Sequence, residues 1–370
     1  MTKWLRCLLI CALIFGFLPV TAVQAVRGVP GSAEFGYGAW LHPNGEFFDQ
    51  GLALVQDLAL DWVGVEVDWA ALAATSDTKI DTAILDRAVS TAASSGTAVM
   101  FSLTNPPDWA MTPAGPDPAA TAGFVLNLST RYGDKLCAIE LLPGANTTAG
   151  WHANPDPAAY ANLWLTVRSQ LDTAGSSLHL IAGGLRPWSA ASAPADWTDL
   201  DFLRGLYAAG AKDWMSVVSI QFPQLTGLPL QTTADSGTPL RHYEAVRQVM
   251  QENNHQTGQI WVTLFNPPDG TISVTDSRFA DRQHQTEWLQ QALIQVRSQL
   301  YMGVVFAHNL NPAQSNSTLY RYDALVVDRV SVHPFYSVFK AIIRQTNPET
   351  GAARPGKPKG TILLKCKYKT

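Results

Sequence analysis

The sequence is poor in cysteine, with four in 370 residues. Cys7 and Cys11 lie in an apolar N-terminal stretch, which leaves Cys137 and Cys366 for the rest of the chain. Cys137 falls in a predicted buried strand and Cys366 in the C-terminal tail, so we expect no disulfide framework. A chain of this length can fold without one, because it can bury a large apolar core.

Motifs for metals, nucleotides and serine hydrolases are also missing. There is no HExxH, no paired CxxC, no glycine-rich phosphate loop after the first predicted strand, and no G-x-S-x-G around Ser102 or Ser219. Five of the histidines are scattered along the chain, at His42, His242, His255, His284 and His308. We therefore expect no metal site and no cofactor.

Basic residues are scarce in the body of the chain. Residues 26–350 contain 18 Lys and Arg against 30 Asp and Glu, a net charge of −12. Such a charge argues against nucleic acid as a partner. The last 20 residues instead carry six Lys and Arg among Pro and Gly, so residues 346–370 are predicted to form a basic, disordered tail.

Long apolar runs are absent except at the N-terminus. Lys3 and Arg6 precede the apolar run from Leu8 to Leu18, and small residues follow up to Ala25. This pattern predicts a signal peptide over residues 1–25 and a secreted or extracytoplasmic protein. An uncleaved anchor is the alternative, but the run is shorter than the roughly 20 residues of a membrane span. We expect no membrane span after cleavage.

Short apolar segments alternate with amphipathic segments eight times along the chain. The predicted strands are 35–40, 61–69, 97–103, 137–142, 178–185, 214–222, 259–265 and 303–310. The predicted helices are 47–60, 84–96, 119–132, 157–174, 199–210, 241–253, 281–299 and 333–344. Continuous apolar strands indicate a parallel sheet buried on both faces. Eight such units predict an α/β fold, a single-domain (β/α)₈ TIM barrel over residues 26–345. A doubly wound open sheet is the alternative, which the missing phosphate loop disfavours.

The predicted strand exits are rich in aromatic and amide side chains. In a (β/α)₈ barrel the functional site forms at these exits. The candidate ligand-binding residues are Trp40, Trp69, Asn105, Trp109, Asn146, Trp151, Trp188, Gln221 and His308. Indole rings stack on the CH-rich face of a sugar while amides bind its hydroxyls, so the composition favours a carbohydrate, an oligo- or polysaccharide. About half of the tryptophans are expected to fill the top of the barrel instead.

The order of these segments resembles the clan A glycoside hydrolases, particularly the family 39 and family 5 barrels. The segments that carry the resemblance are VEVDWAAL, NPPDWA, the fourth-strand stretch AIELLPGAN, IWVTLFN, and FAHNL followed by HPFYSVFK. The resemblance covers nearly the whole mature chain. It implies a TIM barrel whose mouth binds a sugar.

The resemblance also implies two catalytic carboxylates, which lie about 5–5.5 Å apart in retaining enzymes. The family's acid/base ends the fourth strand in an Asn-Glu pair, and Pro143 and Gly144 stand there in this sequence. The nucleophile ends the seventh strand, where this chain has Leu264, and Ala307 replaces a tryptophan near the end of the eighth. Glycine and leucine can neither donate a proton nor attack a sugar carbon. We therefore predict a catalytically inactive barrel that binds a carbohydrate.

Two other hypotheses remain open at this point. Asp68 and Asp108 form the relocated carboxylate pair that the sequence offers, which would make the protein an active O-glycosyl hydrolase. Glu140 shares the inward side of its strand but lies deeper, so we expect a buried, hydrogen-bonded group. A structural or interaction domain whose cleft is filled by loops is the third hypothesis.

Overall fold

A computed structural model describes residues 23–25, 35–76, 80–189, 192–233, 237–267, 282–313, 324–326, 328–344 and 363–365. Eight parallel strands close into a barrel in the order β7-β8-β1-β2-β3-β4-β5-β6. They are β1 (Gly36–Leu41), β2 (Trp62–Asp68), β3 (Ala98–Thr104), β4 (Leu136–Leu141), β5 (His179–Leu185), β6 (Val217–Phe222), β7 (Gln259–Phe265) and β8 (Met302–Asn309). The predicted (β/α)₈ fold is confirmed, and the doubly wound sheet is wrong because the sheet closes.

A helix follows each barrel strand. The helices are α1 (Phe48–Leu58), α2 (Ala83–Ser94), α3 (Pro118–Tyr132), α4 (Pro157–Thr173), α5 (Asp199–Ala208), α6 (Tyr243–Glu252), α7 (Arg282–Arg297) and α8 (Phe335–Arg344). Helix α1 ends earlier than predicted because Ala59 adopts a left-handed conformation, with φ 56°. Within the described ranges, no helix has the length and apolar character needed to cross a membrane.

Capping residues set where several helices begin. Asp117 precedes α3 and Asp156 precedes α4, and each carboxylate accepts a hydrogen bond from a backbone amide of the first turn. Pro118 and Pro157 follow them at the first helical position, where a missing N–H is not needed. Thr198 caps α5 in the same way through its hydroxyl. These caps fix the ends of the helices that border the barrel mouth.

The interior of the barrel is filled by large side chains. Trp62 packs edge-on against Trp261 with ring centroids 4.9 Å apart, and Trp40 packs against Phe306 at 5.2 Å. Gly64 leaves room for the Trp40 indole, since a Cβ there would lie 2.7 Å from the ring. A second and larger apolar cluster lies between the strands and the helices. The barrel is therefore a packed core, and ligands can enter at the strand ends.

Two short segments pair outside the barrel. Val23–Ala25 runs parallel to Leu363–Lys365, so the predicted disordered tail contains at least one short strand, formed where two leucines interrupt its polar sequence. The rest of the tail and of the predicted signal peptide lies outside the described residues. Cys137 is buried in β4 and is disulfide-bonded, so the chain has a disulfide although no disulfide framework was expected. The other cysteines lie outside the described residues.

Candidate functional site

A pocket of about 330 Å³ opens at the carboxyl ends of β2, β3, β4 and β5. It is lined by Glu66, Asp68, Thr104, Asn105, Leu142, Pro143, Ala149, Gly150, His152 and Arg186. Its volume is at the lower end of the range for small-molecule sites. Its position is the one where (β/α)₈ barrels build their sites. The pocket is therefore the candidate functional site.

Glu66 forms part of one wall of this pocket. Its Oε1 accepts a hydrogen bond from Thr104 Oγ1 at 3.3 Å, and its Oε2 lies 3.7 Å from His42 Nδ1. The interaction with the His42 ring lowers the pKa of Glu66 below its ordinary value, and this effect outweighs burial, which acts in the opposite direction. The side chain is 49% exposed. Glu66 thus presents an ionised carboxylate to the pocket.

Asp68 lies two residues further along β2, so strand alternation places its side chain on the same wall. Its Oδ1 accepts hydrogen bonds from Asn105 Nδ2 and from the Ala71 amide, both at 2.9 Å. No hydrogen bond joins Oδ2 to any residue that the structure describes, which leaves an acceptor at the pocket. Burial lowers the pKa of the nearby His152, and the charge of Asp68 opposes that effect. The imidazole is therefore biased toward its neutral form.

Arg186 forms the facing side of the pocket, one residue after β5. Asn146 holds its backbone, because the Asn146 Oδ1 accepts from the Arg186 amide at 2.9 Å and the Asn146 Nδ2 donates to its carbonyl at 2.8 Å. The Arg186 Nε donates to Gln221 Oε1 at 2.8 Å. Burial lowers the pKa of Arg186 and the nearby Glu140 raises it, but a guanidinium stays charged in proteins. A fixed cation therefore faces the two carboxylates.

Gly144 occupies the turn that follows β4. Its φ is 78°, and a Cβ there would lie 3.0 Å from Arg186 Nε and 3.3 Å from Thr147 Oγ1. Its carbonyl accepts hydrogen bonds from the Thr147 amide and hydroxyl, both at 2.8 Å. The backbone conformation and the neighbouring guanidinium both favour glycine. A longer side chain at this position requires Arg186 to move.

Leu264 lies at the exit of β7, after an irregularity in the pairing with β6. Thr263 points into the barrel and donates to Glu140 Oε1 at 2.6 Å. Phe265 faces the helices, where its ring centroid lies 5.9 Å from that of Trp288. Leu264, between them, is half-buried and pairs with Gln221 on β6. This exit of the barrel therefore carries an aliphatic side chain.

Glu140 lies inside the barrel and does not line the pocket. It accepts hydrogen bonds from Ser102 Oγ at 3.0 Å and Thr263 Oγ1 at 2.6 Å, and it is completely buried. Burial raises the pKa of Glu140, while hydrogen bonds from Thr263, Ser219 and Ser102 act in the opposite direction. The expectation of a buried, partnered carboxyl is confirmed.

Solved structures with the same architecture include several sugar-cleaving enzymes. A family 39 glycoside hydrolase from the gut symbiont Bacteroides cellulosilyticus WH2 matches with a TM-score of 0.60 and 15% identity, over 83% of this chain and 63% of that chain. The GH39 enzyme from Xanthomonas axonopodis pv. citri matches with a TM-score of 0.58 and 15% identity, over 89% and 71%. The β-glycosidase BGL167 matches with a TM-score of 0.57 and 11% identity, over 88% and 98%.

The fold is that of the glycoside hydrolase barrels. The chain spans about 63% of the length of the Bacteroides enzyme, which is less than two thirds. No protein-family model and no curated protein matches the sequence. At these identities the likeness concerns the fold, and the chemistry of this glycoside-hydrolase-like barrel has to be argued from its own pocket.

Three of the predicted sugar-binding tryptophans are buried in the fold. Trp40 fills the barrel interior, Trp69 stacks on Phe124 with centroids 4.8 Å apart, and Trp151 donates its Nε1–H to the Ala114 carbonyl at 2.9 Å. Packing against these neighbours covers the indole rings. The prediction that they bind ligand is corrected accordingly, since as packed they offer no ring face to a sugar.

Two other predicted tryptophans are exposed near the mouth. Trp109 is 39% exposed and Trp188 48% exposed. The Trp109 Nε1–H is bonded to the Ala73 carbonyl at 2.8 Å, which holds the ring in place. Trp197, 40% exposed, lies in the same β5–α5 loop as Trp188 and was missed by the sequence analysis. Its position in the loop after the predicted fifth strand, close to Trp188, could have indicated that Trp197 lies near the mouth.

The predicted amide residues divide between pocket and scaffold. Asn105 lines the pocket and donates to Asp68. Asn146 is completely buried and bonds the backbone of Arg186 and Trp197, so it joins two loops and does not reach the pocket. Gln221 is also buried and acts on the pocket through Arg186. The predicted direct binding roles of Asn146 and Gln221 are therefore corrected to supporting ones.

The remaining predicted residues lie away from the pocket. Asp108 is exposed and does not line it, so the structure does not bring the proposed Asp68–Asp108 pair together there. His308 is buried, with its ring centroid 5.6 Å from His333 and 5.7 Å from Phe335. Ala307 faces the helix layer and not the mouth. Among the described residues, no group of three His, Cys, Asp or Glu side chains could hold a metal ion.

Glu66, Arg186 and His152 are the titratable pocket residues that the sequence analysis did not choose as ligand-binding candidates. Glu66 shares the parity of Asp68 on β2, so strand alternation could have found it. Arg186 directly follows the fifth strand, which is the usual place for a site residue in this fold. His152 had no comparable signal, because the short helix Thr148–Trp151 that positions it was not foreseen.

Proposed function

We propose that this chain is an exported, glycoside-hydrolase-like barrel that binds a carbohydrate in the mouth pocket and does not hydrolyse it. The observation that carries the proposal is the arrangement at Gly144. A left-handed glycine and an arginine guanidinium occupy the end of the fourth strand, where the family that the sequence resembles has its acid/base. Leu264 occupies the corresponding end of the seventh strand.

The composition of the pocket supports a sugar as the ligand. A sugar hydroxyl both donates and accepts hydrogen bonds, so a site with mixed groups suits it. Glu66 and Asp68 supply acceptors, Arg186 supplies donors, and the His152 ring offers either. Trp109 and Trp188 are exposed on neighbouring loops, where their rings could stack on further sugar units.

Hydrolysis by double displacement requires two carboxyl groups that flank the scissile bond. The carboxylates that line the pocket, Glu66 and Asp68, stand on one strand and on one wall. The opposite wall carries Arg186, which neither attacks a sugar carbon nor gives up its proton readily. Tight binding of a sugar alone gives no rate enhancement, because the ground and transition states are bound alike.

Isothermal titration of the purified chain against a glycan panel tests the binding. Asp68→Asn and Trp109→Ala should each weaken the best binder, by about 1–3 kcal/mol for the indole. Leu300→Ala is the matched control, because Leu300 is 90% exposed and precedes β8 at the opposite end of the barrel. Failure of every glycan to bind would favour a structural or interaction domain instead.

Mass spectrometry of the mature protein tests the proposed export. The basic start, short apolar run and small-residue exit predict an N-terminus at Val26. A full-length chain that stays with the membrane would instead identify the apolar run as an anchor.

A further inference from the structure

We infer that Arg186 makes the mouth pocket selective for an acidic saccharide, with the guanidinium holding a carboxylate of a uronic-acid unit. This inference rests on the proposed carbohydrate-binding function and names the class of sugar. It comes from the bonding of Arg186, whose guanidinium is held by Gln221 and has no carboxylate within salt-bridge distance among the described residues.

The Arg186 side chain is held in one orientation with part of its donor set unused. Its Nε is bonded to Gln221 Oε1 at 2.8 Å, and Gln221 is itself buried. Nη1 and Nη2 make no hydrogen bond to the described residues, and no described carboxylate lies within salt-bridge distance of the guanidinium. Arg186 lines the pocket, and the two parallel N–H donors of a guanidinium match the two oxygens of a planar carboxylate.

The Glu140 carboxyl interacts electrostatically with Arg186 but forms no salt bridge with it. It is completely buried below the pocket and accepts hydrogen bonds from Ser102 and Thr263. Burial raises its pKa, which favours the neutral acid. A cation in a partly buried site that has no carboxylate within salt-bridge distance is stabilised by an anionic ligand.

The carboxylates of the other wall set the orientation of such a ligand. Glu66 interacts with His42 and Thr104, and Asp68 accepts bonds from Asn105 and a backbone amide. Their remaining oxygens can accept hydrogen bonds from sugar hydroxyls but repel a second acid. The acidic group is therefore directed to Arg186 and the hydroxyl face to β2.

The glycine after β4 is linked to the same feature. A Cβ on Gly144 would lie 3.0 Å from Arg186 Nε and 3.1 Å from its Cζ. Because Gly144 has no side chain, the Arg186 guanidinium can lie directly against its backbone. The glycine that stands at the family's acid/base position therefore also leaves room for the Arg186 guanidinium.

The direct test compares matched ligands on the unaltered protein. We would titrate the chain with a glucuronic-acid oligosaccharide, its methyl ester, the neutral glucose counterpart and a sulfated counterpart. The free acid should bind about 10- to 100-fold more tightly than the ester and the neutral sugar, as expected for a charge-assisted bond. The preference should shrink as the salt concentration rises.

Variants then assign the preference to one side chain. Arg186→Met should abolish the advantage of the free acid, while Arg204→Met, an exposed arginine outside the pocket, should leave it unchanged. Neutral sugars that bind as tightly as the acid would overturn the inference and leave the proposed function standing. Stronger binding of the sulfated ligand would overturn the carboxylate assignment. If none of the four ligands and no other glycan binds, the proposed function itself fails.

Discussion

At the scale of single residues, the identity of position 144 decides what the barrel mouth can do. Its φ of 78° is a conformation that L side chains rarely adopt, and Arg186 lies against the space where a side chain would begin. The end of β4 is thus a turn with Arg186 packed against it. A proton donor cannot be restored there by one substitution without a change in the position of Arg186.

We expect Gly144→Ala to destabilise the fold for two separable reasons. The left-handed backbone alone should cost about 1–2 kcal/mol. Gly175→Ala is the matched control, because Gly175 has φ 66° but no atom lies within 4 Å of the position that its Cβ would take. Urea unfolding should therefore show a larger loss for Gly144→Ala, with the difference reporting the close contacts with Arg186 and Thr147. Equal losses would mean that the guanidinium does not restrict this position.

Asn146 is the second residue with a clear stability prediction. It is buried and bonds the backbone of Arg186 and Trp197, so Asn146→Ala leaves several buried polar groups without partners. We expect a loss of about 2–4 kcal/mol in the free energy of unfolding. The exposed Asn162 provides the control, where alanine should change stability by less than about 0.5 kcal/mol. A small loss combined with weaker glycan binding would return Asn146 to the ligand site.

At the scale of elements, four strands meet inside the barrel around one carboxyl group. Ser102 on β3, Ser219 on β6 and Thr263 on β7 surround Glu140 on β4. A polar layer of this kind specifies the relative positions of the strands, because each hydroxyl has a defined partner. Glu140 also interacts electrostatically with Arg186, which connects this layer to the mouth pocket.

The effect of the Glu140 carboxyl on the free energy of unfolding can be tested by varying the pH. Its pKa is raised in the folded state above the ordinary value of 4.5, so the folded protein binds this proton more strongly than the unfolded chain. The contribution of Glu140 to folding stability is therefore fully present below its pKa in the unfolded chain. It is lost as the pH rises from that value through the higher pKa of the folded protein. Glu140→Gln removes this titration. Its stability relative to the wild type should increase as the pH rises above about 4.5.

Denaturant unfolding at a series of pH values measures this difference. Glu287→Gln, at an exposed position away from the barrel interior, serves as the control for the loss of a carboxyl group. A Glu140→Gln variant that becomes relatively less stable as the pH rises would show that the carboxylate form is the favoured one in the barrel.

The strands and helix starts could be predicted from the sequence, whereas the burial of individual tryptophans could not. Apolar runs such as Ala98–Thr104 and Gln259–Phe265 indicate buried parallel strands, and Asp-Pro pairs indicate helix starts. The same reasoning could not tell which indole rings would be buried. Trp69 and Trp151 follow strand exits, but they turn toward α3 and the β3 loop, which only the packing of distant segments decides.

At the scale of the whole molecule, the packed barrel places every accessible group of the site at one end. Trp62, Trp261 and Phe306 fill the interior, so the mouth pocket is closed below and is lined by residues at the strand exits. The fold was predictable because eight strand–helix units have few alternative arrangements. The pocket was less predictable, because the roles of Arg186 and Glu66 depend on contacts with residues of other strands.

The most direct test of the proposal that the barrel binds a sugar without hydrolysing it is the turnover of a panel of aryl glycosides and oligosaccharides by the purified mature chain. If Gly144 and Leu264 stand at the two catalytic positions, as we propose, neither half of a double displacement has a route. We predict no product above the buffer background, for the wild type and for Glu66→Gln, Asp68→Asn and Asp108→Asn alike. Robust turnover by the wild type that any of these three changes abolishes would contradict this prediction and would identify a relocated carboxylate as the working group.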